Sequence, residues 1–246
     1  MKNEPRLLNA FVRFVIRLFI DVDGTELAKV PEKGPMILLF NHINSLDAPV
    51  FFSHLSHRPI TAFAKAETWD NPILAYIFNK WGAISIRRND ADLAAFEKAQ
   101  AALADGQLLA ISPEGTRSRD GKLQAGSPGI ILLALRSGSP ILPVVHHGIE
   151  EFPQNIRRLK RSKFKVIVGE PFNVKVPASG LSRDVRKQIT DEIMYQMAAL
   201  LPADHRGVYS DLSKATQEYL EFIAPARSNL LKAVLGPGTM TEPLLA

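Results

Sequence analysis

The chain has 246 residues, 46% hydrophobic and 22% charged, which supplies one sizeable core and excludes a disordered polymer. It contains no cysteine, which removes disulfides, thiolate zinc sites and a cysteine nucleophile together. The net charge of +5 is unevenly spread, and no nucleic-acid-binding motif accompanies it.

The first predicted element is a helix over Arg6–Ile20, RLLNAFVRFVIRLFI. At about 100° per residue, Arg6, Arg13 and Arg17 share an arc of roughly 40°, with Asn9 beside them and apolar residues on the rest of the circumference. A bilayer-spanning helix wants about 20 apolar residues, and arginine near its centre costs roughly 2.5–3.5 kcal/mol. No small-residue cleavage site follows; Asp21-Val-Asp-Gly comes instead. The segment is expected to lie in a membrane interface with its arginines at the headgroups. The alternative is a cationic-faced helix packed on the protein's own core.

Beyond Gly24 the pattern predicts a short strand at Glu26–Val30. Further strands are expected at Met36–Phe40, Ile60–Lys65, Ala83–Arg87, Leu108–Ser112, Ile141–Val145 and Phe164–Val168. Helices are expected at about 46–57, 70–80, 91–104, 127–137 and 183–200. Alternation of this kind predicts an α/β single domain with a largely parallel central sheet flanked by helices, preceded by the amphipathic membrane-interface helix. After Pro202, helices are expected at Leu212–Ile223 and Ser228–Leu235, with a loose end from Gly236. The expected division is an N-terminal membrane-associating helix over 1–24, a catalytic domain over 25–201 and a helical extension over 202–246. Residues 156–169 carry Arg157, Arg158, Lys160, Arg161, Lys163 and Lys165 with no acid. Such a run decorates a solvated surface, or attracts anionic lipid, a phosphorylated cofactor or an acidic carrier protein.

Four segments carry chemistry. Asn41-His42-Ile-Asn-Ser-Leu-Asp47 directly follows an apolar strand. Five residues turn about 140° around a helix axis, so His42 and Asp47 cannot face one another within a single helix. If Asn44 or Ser45 caps a new helix, Asp47 falls in its first turn and folds back onto the imidazole. A histidine held by a carboxylate at a strand end is suited to activating a hydroxyl. The other segments are Gly82–Arg88, a strand ending in two arginines; Ser112-Pro-Glu-Gly-Thr-Arg-Ser118, a strand running into a loop; and the proline-bearing strand Ile141–Val145. Each taken singly has a structural reading, whereas their order and spacing together are hard to obtain by accident.

That ordered set resembles the phospholipid and glycerol acyltransferase family, which includes 1-acylglycerol-3-phosphate acyltransferases. The family's motifs correspond here to Asn41–Asp47, Gly82–Arg88, Ser112–Ser118 and Pro140–Val144. The resemblance implies that His42 is a general base on a lipid hydroxyl and that Asp47 orients its imidazole. It implies that Arg88 and Arg117 grip the acceptor phosphate, that Glu114, Gly115 and Thr116 shape that pocket, and that Lys65 is a further anion contact. The hydroxyl of a lysophospholipid, most plainly 1-acylglycerol-3-phosphate, would attack a thioester donor directly and give phosphatidic acid. No cofactor or metal is implied, only acyl-CoA or acyl-carrier protein as co-substrate. The partners are those donors, the lysophospholipid and a membrane surface, with no nucleic acid. The expected location is peripheral and monotopic, on the cytoplasmic face of a membrane. Three positions depart from the family pattern: Ser112 where phenylalanine is usual, Arg87 where aspartate is common, and Gln124 where a lysine is common.

Two other readings remain open at this point. One is a metal-dependent hydrolase, with His54, His57, His146 and His147 joining His42 and Asp47 as ligands. The other is a catalytically inactive lipid-surface protein.

Overall fold

Helices and strands alternate through the computed structural model, which describes residues 5–87, 92–118, 120–178 and 180–235. Helix Arg6–Phe19 (α1) runs into strand Ile20–Asp23 (β1). There follow Met36–Leu39 (β2), Asp47–His54 (α2), Ile60–Lys65 (β3), Pro72–Lys80 (α3), Ile84–Ile86 (β4) and Leu93–Ala104 (α4). Next come Leu108–Ile111 (β5), Gly129–Ser137 (α5), Ile141–His147 (β6), Phe152–Arg157 (α6) and Ser162–Val168 (β7). The chain continues through Phe172–Val174 (β8), Arg183–Ala198 (α7), Leu220–Phe222 (β9) and Asn229–Leu235 (α8). Caps set several helix starts. Asn71 accepts from the amides of Ile73 and Leu74 ahead of Pro72, Asp92 from that of Ala95, and Ser182 from that of Val185.

The sheet runs β1-β7-β6-β2-β5-β3-β4. Strands β6, β2, β5, β3 and β4 are mutually parallel. β7 is antiparallel to β6, β1 is parallel to β7, and the short β8 and β9 extend the sheet beside the start of β6. The sheet is thus largely parallel, and the carboxyl ends of its five parallel strands lie along one edge. β2 is buried at every position because it is central and covered on both faces, which is why it reads as an unbroken apolar run. Ile37 and Leu39 pack toward α4, α5 and α7, whereas Met36, Leu38 and Phe40 pack toward α1 and α2.

Four sequence expectations are corrected. Glu26–Val30 is not a strand: Thr25–Lys29 forms a 3₁₀ turn. The Asp23 carboxylate accepts from the Thr25 amide and hydroxyl there, and Glu26 accepts from the Val168 amide at 2.8 Å. The strand lies earlier, at β1, where alternating acids hid it. Leu212–Ile223 is not a helix but a 3₁₀ turn at Leu212–Lys214 followed by β9. The buried Glu192 of α7 takes the Glu218 and Tyr219 amides and the Thr216 hydroxyl at 2.6–2.9 Å, so those amides do not enter a helical ladder. β8 and α6 come from stretches with no expected element. The loose end expected from Gly236 lies outside the described residues.

The fourth correction concerns α1. Its cationic arc turns partly inward: Arg13 donates to the Ser53 carbonyl at 3.0 Å and the Ser56 hydroxyl at 3.3 Å. Buried Asn9 accepts from the Trp81 indole at 2.8 Å. Leu7, Phe11, Phe14, Leu18 and Phe19 face outward, Leu7 being 89% exposed. Among the described residues, no helix is long and apolar enough to cross a membrane.

Candidate active site

His42 stands just past β2, at the middle of the parallel edge, and Asp47 is the first residue of α2. The helix begins on Leu46 rather than on a side-chain cap, while Asn44 accepts from the Leu46 amide at 2.7 Å and shapes the turn before it. Asp47 folds back: its Oδ2 accepts from His42 Nδ1 at 2.8 Å, from the Ile43 amide at 2.8 Å and from the Asn44 amide at 3.0 Å. Burial would push this fully buried carboxyl up. The charge and approach of His146, then the bond and charge of His42, outweigh burial and bring it down to about 2. An ionised carboxylate only accepts, so the proton of the His42 ring sits on Nδ1 and the lone pair on Nε2. The His42 side chain is 17% exposed and is edged by the ring of Phe40 at 5.9 Å.

The backbone of His42 is clamped from the third motif. Glu114 Oε1 accepts from the His42 amide at 3.0 Å, and the Ser118 amide donates to the His42 carbonyl at 2.7 Å. Glu114 Oε2 accepts from the Gln124 amide at 3.0 Å. Both oxygens of Glu114 are therefore committed to backbone amides, one of them that of the histidine. Burial pushes this carboxyl up to about 7, against the pull of the two amides.

Gly115, Thr116 and Arg117 lie on the exposed crest of the same loop. Gly115 has φ of +66°, and a Cβ there would meet nothing within 4 Å, so the glycine is required by conformation rather than by close approach of other protein atoms. Arg117 precedes Ser118, whose amide bonds the His42 carbonyl, and Lys65 ends β3, two strands from β2 in the sheet. Lys65 is half exposed and pairs with Glu67 at 3.0 Å. Arg88 lies outside the described residues; its neighbour Arg87, just past β4, is exposed.

Sequence reasoning considered His146 only as a metal ligand. It is fully buried at the end of β6, stacked on Phe164 with 4.4 Å between centroids. Its Nε2 lies 2.8 Å from the Asn41 carbonyl oxygen and 3.6 Å from Asp47 Oδ1. The Asn41 side chain in turn exchanges two 2.8 Å bonds with the His146 backbone, tying the end of β2 to β6. The signal for this was the Asn41 of the first motif, whose amide completes a ladder that the strand itself has left. His54 Nδ1 lies 2.9 Å from the Val50 carbonyl oxygen. Among the described residues, no three His, Asp or Glu side chains converge as a metal ligand set. The described residues therefore lend the hydrolase reading no support.

An imidazole oriented by a buried carboxylate at the carboxyl edge of a parallel sheet defines an α/β protein equipped for proton transfer. A family model described as Acyltransferase matches residues 20–147, more than half of the chain. The chain belongs to the acyltransferase family. A 1-acyl-sn-glycerol-3-phosphate acyltransferase of Borreliella burgdorferi is 31% identical over 135 residues, 54% of this chain and 53% of that protein. An N-acylphosphatidylethanolamine synthase of Arabidopsis thaliana is 33% identical over 169 residues, covering 60% and 59%. The chain therefore spans little more than half the length of these two relatives. The human 1-acyl-sn-glycerol-3-phosphate acyltransferase alpha is 25% identical over 209 residues, covering 82% and 71%. The crystal structure of the 1-acyl-sn-glycerophosphate acyltransferase PlsC from Thermotoga maritima has the same fold, with a TM-score of 0.58 at 22% identity over 76% of this chain and 75% of that one.

Proposed function

We propose that this protein transfers a fatty acyl group from a thioester to the free hydroxyl of 1-acylglycerol-3-phosphate, giving phosphatidic acid. The observation that carries the reading is the 2.8 Å contact between His42 Nδ1 and the ionised Asp47. In this mechanism His42 Nε2 takes the acceptor's hydroxyl proton as its oxygen attacks the thioester carbonyl carbon. The carbon–sulfur bond then breaks, and the imidazolium returns the proton to the departing thiolate. Asp47 keeps the proton on Nδ1 and stabilises the imidazolium between these steps. No covalent enzyme intermediate is required, which suits a chain without cysteine. Arg117 and Arg88 bind the acceptor phosphate, and Lys65 adds positive charge at the same edge. The donor is acyl-CoA or acyl-carrier protein. The outward apolar face of α1 seats the protein on the cytoplasmic face of a membrane, where it meets the lipid acceptor.

The similarity to a protein named N-acylphosphatidylethanolamine synthase makes a phospholipid amine the second acceptor to try. The test incubates purified protein with radiolabelled acyl-CoA and a panel of lysophosphatidic acid, other lysolipids and phosphatidylethanolamine. Labelled phosphatidic acid is the expected product. His42→Ala should lower its formation by roughly 10²–10⁴-fold with the circular dichroism spectrum unchanged. Wild-type turnover by that variant removes the mechanism.

A further inference from the structure

The basic run is not spread evenly over a solvated surface. Its first half forms the tight turn between α6 and β7, where Arg157, Arg158, Lys160 and Arg161 surround Leu159. Leu159 is 96% exposed and has φ of +53°, alone among the described non-glycine residues in being left-handed. It occupies the position after the α6 C-cap, where the fold itself favours glycine. A large apolar side chain held outward at that position does nothing for packing.

The turn is next to the membrane-facing helix. Ile20 pairs with Ser162, which sets Arg161 beside Phe19, and Arg161 donates to the Ile20 carbonyl at 3.0 Å. Arg17 and Arg161 line a cleft of about 650 Å³ that opens beside the turn, among α1, β1, the Thr25–Lys29 turn and the end of α2. Burial holds His54 below the ordinary imidazole range, so the lining charges are Arg17 and Arg161 against the single acid Asp21. The exposed Asp21–Arg161 pair at 3.8 Å is weak, and the cleft is net cationic.

We propose that the cleft binds the phosphate of an anionic phospholipid through Arg17 and Arg161, while Leu159 and Phe19 enter the acyl region on either side. The site is distinct from the His42 edge and gives the molecule a second membrane contact beyond α1. It rests on the reading of α1 as membrane-facing. An acidic carrier protein suits the cations less well, because it has no use for an exposed leucine flanked by an exposed apolar helix.

The test is co-sedimentation with vesicles of phosphatidylcholine alone and of phosphatidylcholine containing phosphatidic acid, with thermal unfolding as the control for fold. Wild type should bind both, the anionic vesicles more tightly. Arg17→Gln with Arg161→Gln should lose roughly thirtyfold on anionic vesicles, about fivefold per cation, and keep its binding to neutral ones. Leu159→Gly suits the left-handed position and so preserves folding; it should bind both vesicles roughly tenfold more weakly. An anionic preference that survives the double substitution overturns the site and leaves the α1 reading standing. Wild type that binds neither vesicle overturns both. Loss of acyl-carrier-protein binding by the double variant, with vesicle binding untouched, reassigns the cleft to a protein donor and overturns the lipid site.

Discussion

Asp47 accepts three hydrogen bonds on one oxygen, and the imidazole bond is the only one of them with a chemical alternative. In Asp47→Asn the carboxamide oxygen can take all three bonds at the Oδ2 position, which leaves the carboxamide nitrogen at the Oδ1 position, facing His146 rather than His42. The ring then keeps its proton on Nδ1 but loses the charge that stabilises the imidazolium, a charge-assisted bond being about twice as strong as a neutral one. Turnover with acyl-CoA should drop roughly 10–10²-fold with little change in acceptor KM. A drop beyond about 10³-fold would mean that the carboxamide turns over and that the tautomer, not the charge, is what the carboxylate supplies. Glu114 makes a different prediction, through stability. Its carboxyl stands at about 7 when folded against an ordinary 4.5. The folded state therefore binds the proton more tightly, so this group's contribution is fully present below pH 4.5 and is lost as pH rises through 7. The melting temperature should fall between pH 5 and pH 8, and Glu114→Gln should flatten that slope. An unchanged slope would show that another group sets it. The contact between His42 and Asp47 was legible because a strand end, a polar turn and a helix start are each local patterns. The roles of Glu114 and His146 were not, because each depends on which strands become neighbours. β5 and β6 flank β2 in space but follow it by about 70 and 100 residues in the chain.

At the level of elements, periodicity revealed those that bury a regular face and missed those held by a single side chain. β2, β3, β5 and β6 were visible as apolar runs because both of their faces are covered. β1, β8 and β9 are three or four residues long and pair at the margin of the sheet, with too few alternations to read. The segment around residues 212–223 has helical composition, yet Glu192 draws its amides off line. Glu192→Ala would leave two part-buried backbone donors and the Thr216 hydroxyl without their acceptor, at roughly 1–3 kcal/mol for the three together. The unfolding free energy from urea titration should fall accordingly, by about 1–3 kcal/mol in total, and β9 should exchange its amides faster than β6. Because Glu192 lies on α7, away from the His42 edge, acyl transfer at low temperature should persist.

For the whole molecule, the decisive asymmetry is that Leu7, Phe11, Phe14, Leu18 and Phe19 of α1 are turned away from the body, while Leu8, Val12 and Ile16 pack on it beside polar Asn9 and Arg13. A helix folding only for its own core would not leave five large apolar side chains in water, since each one removed from water is worth about 1.5–3 kcal/mol. The sequence revealed both arcs but not that the body would take the border between them, because that choice depends on Ser53, Ser56 and Trp81 presenting polar partners. Under the proposed function the outward face enters a lipid surface. Phe11 and Phe14 lie in the exposed arc, 63% and 62% accessible, so replacing both with serine should leave the unfolding free energy within about 0.5 kcal/mol. Their loss from a bilayer interface should nevertheless weaken binding to neutral phosphatidylcholine vesicles by roughly a hundredfold, since the two rings together carry several kcal/mol of transfer free energy. Turnover on lysophosphatidic acid presented in vesicles should fall with the bound fraction, while turnover on the same acceptor in detergent micelles should fall far less. If the double variant sediments with vesicles as wild type does, the outward face of α1 is covered by something other than lipid, and the seating of the protein on a membrane through that face loses its support.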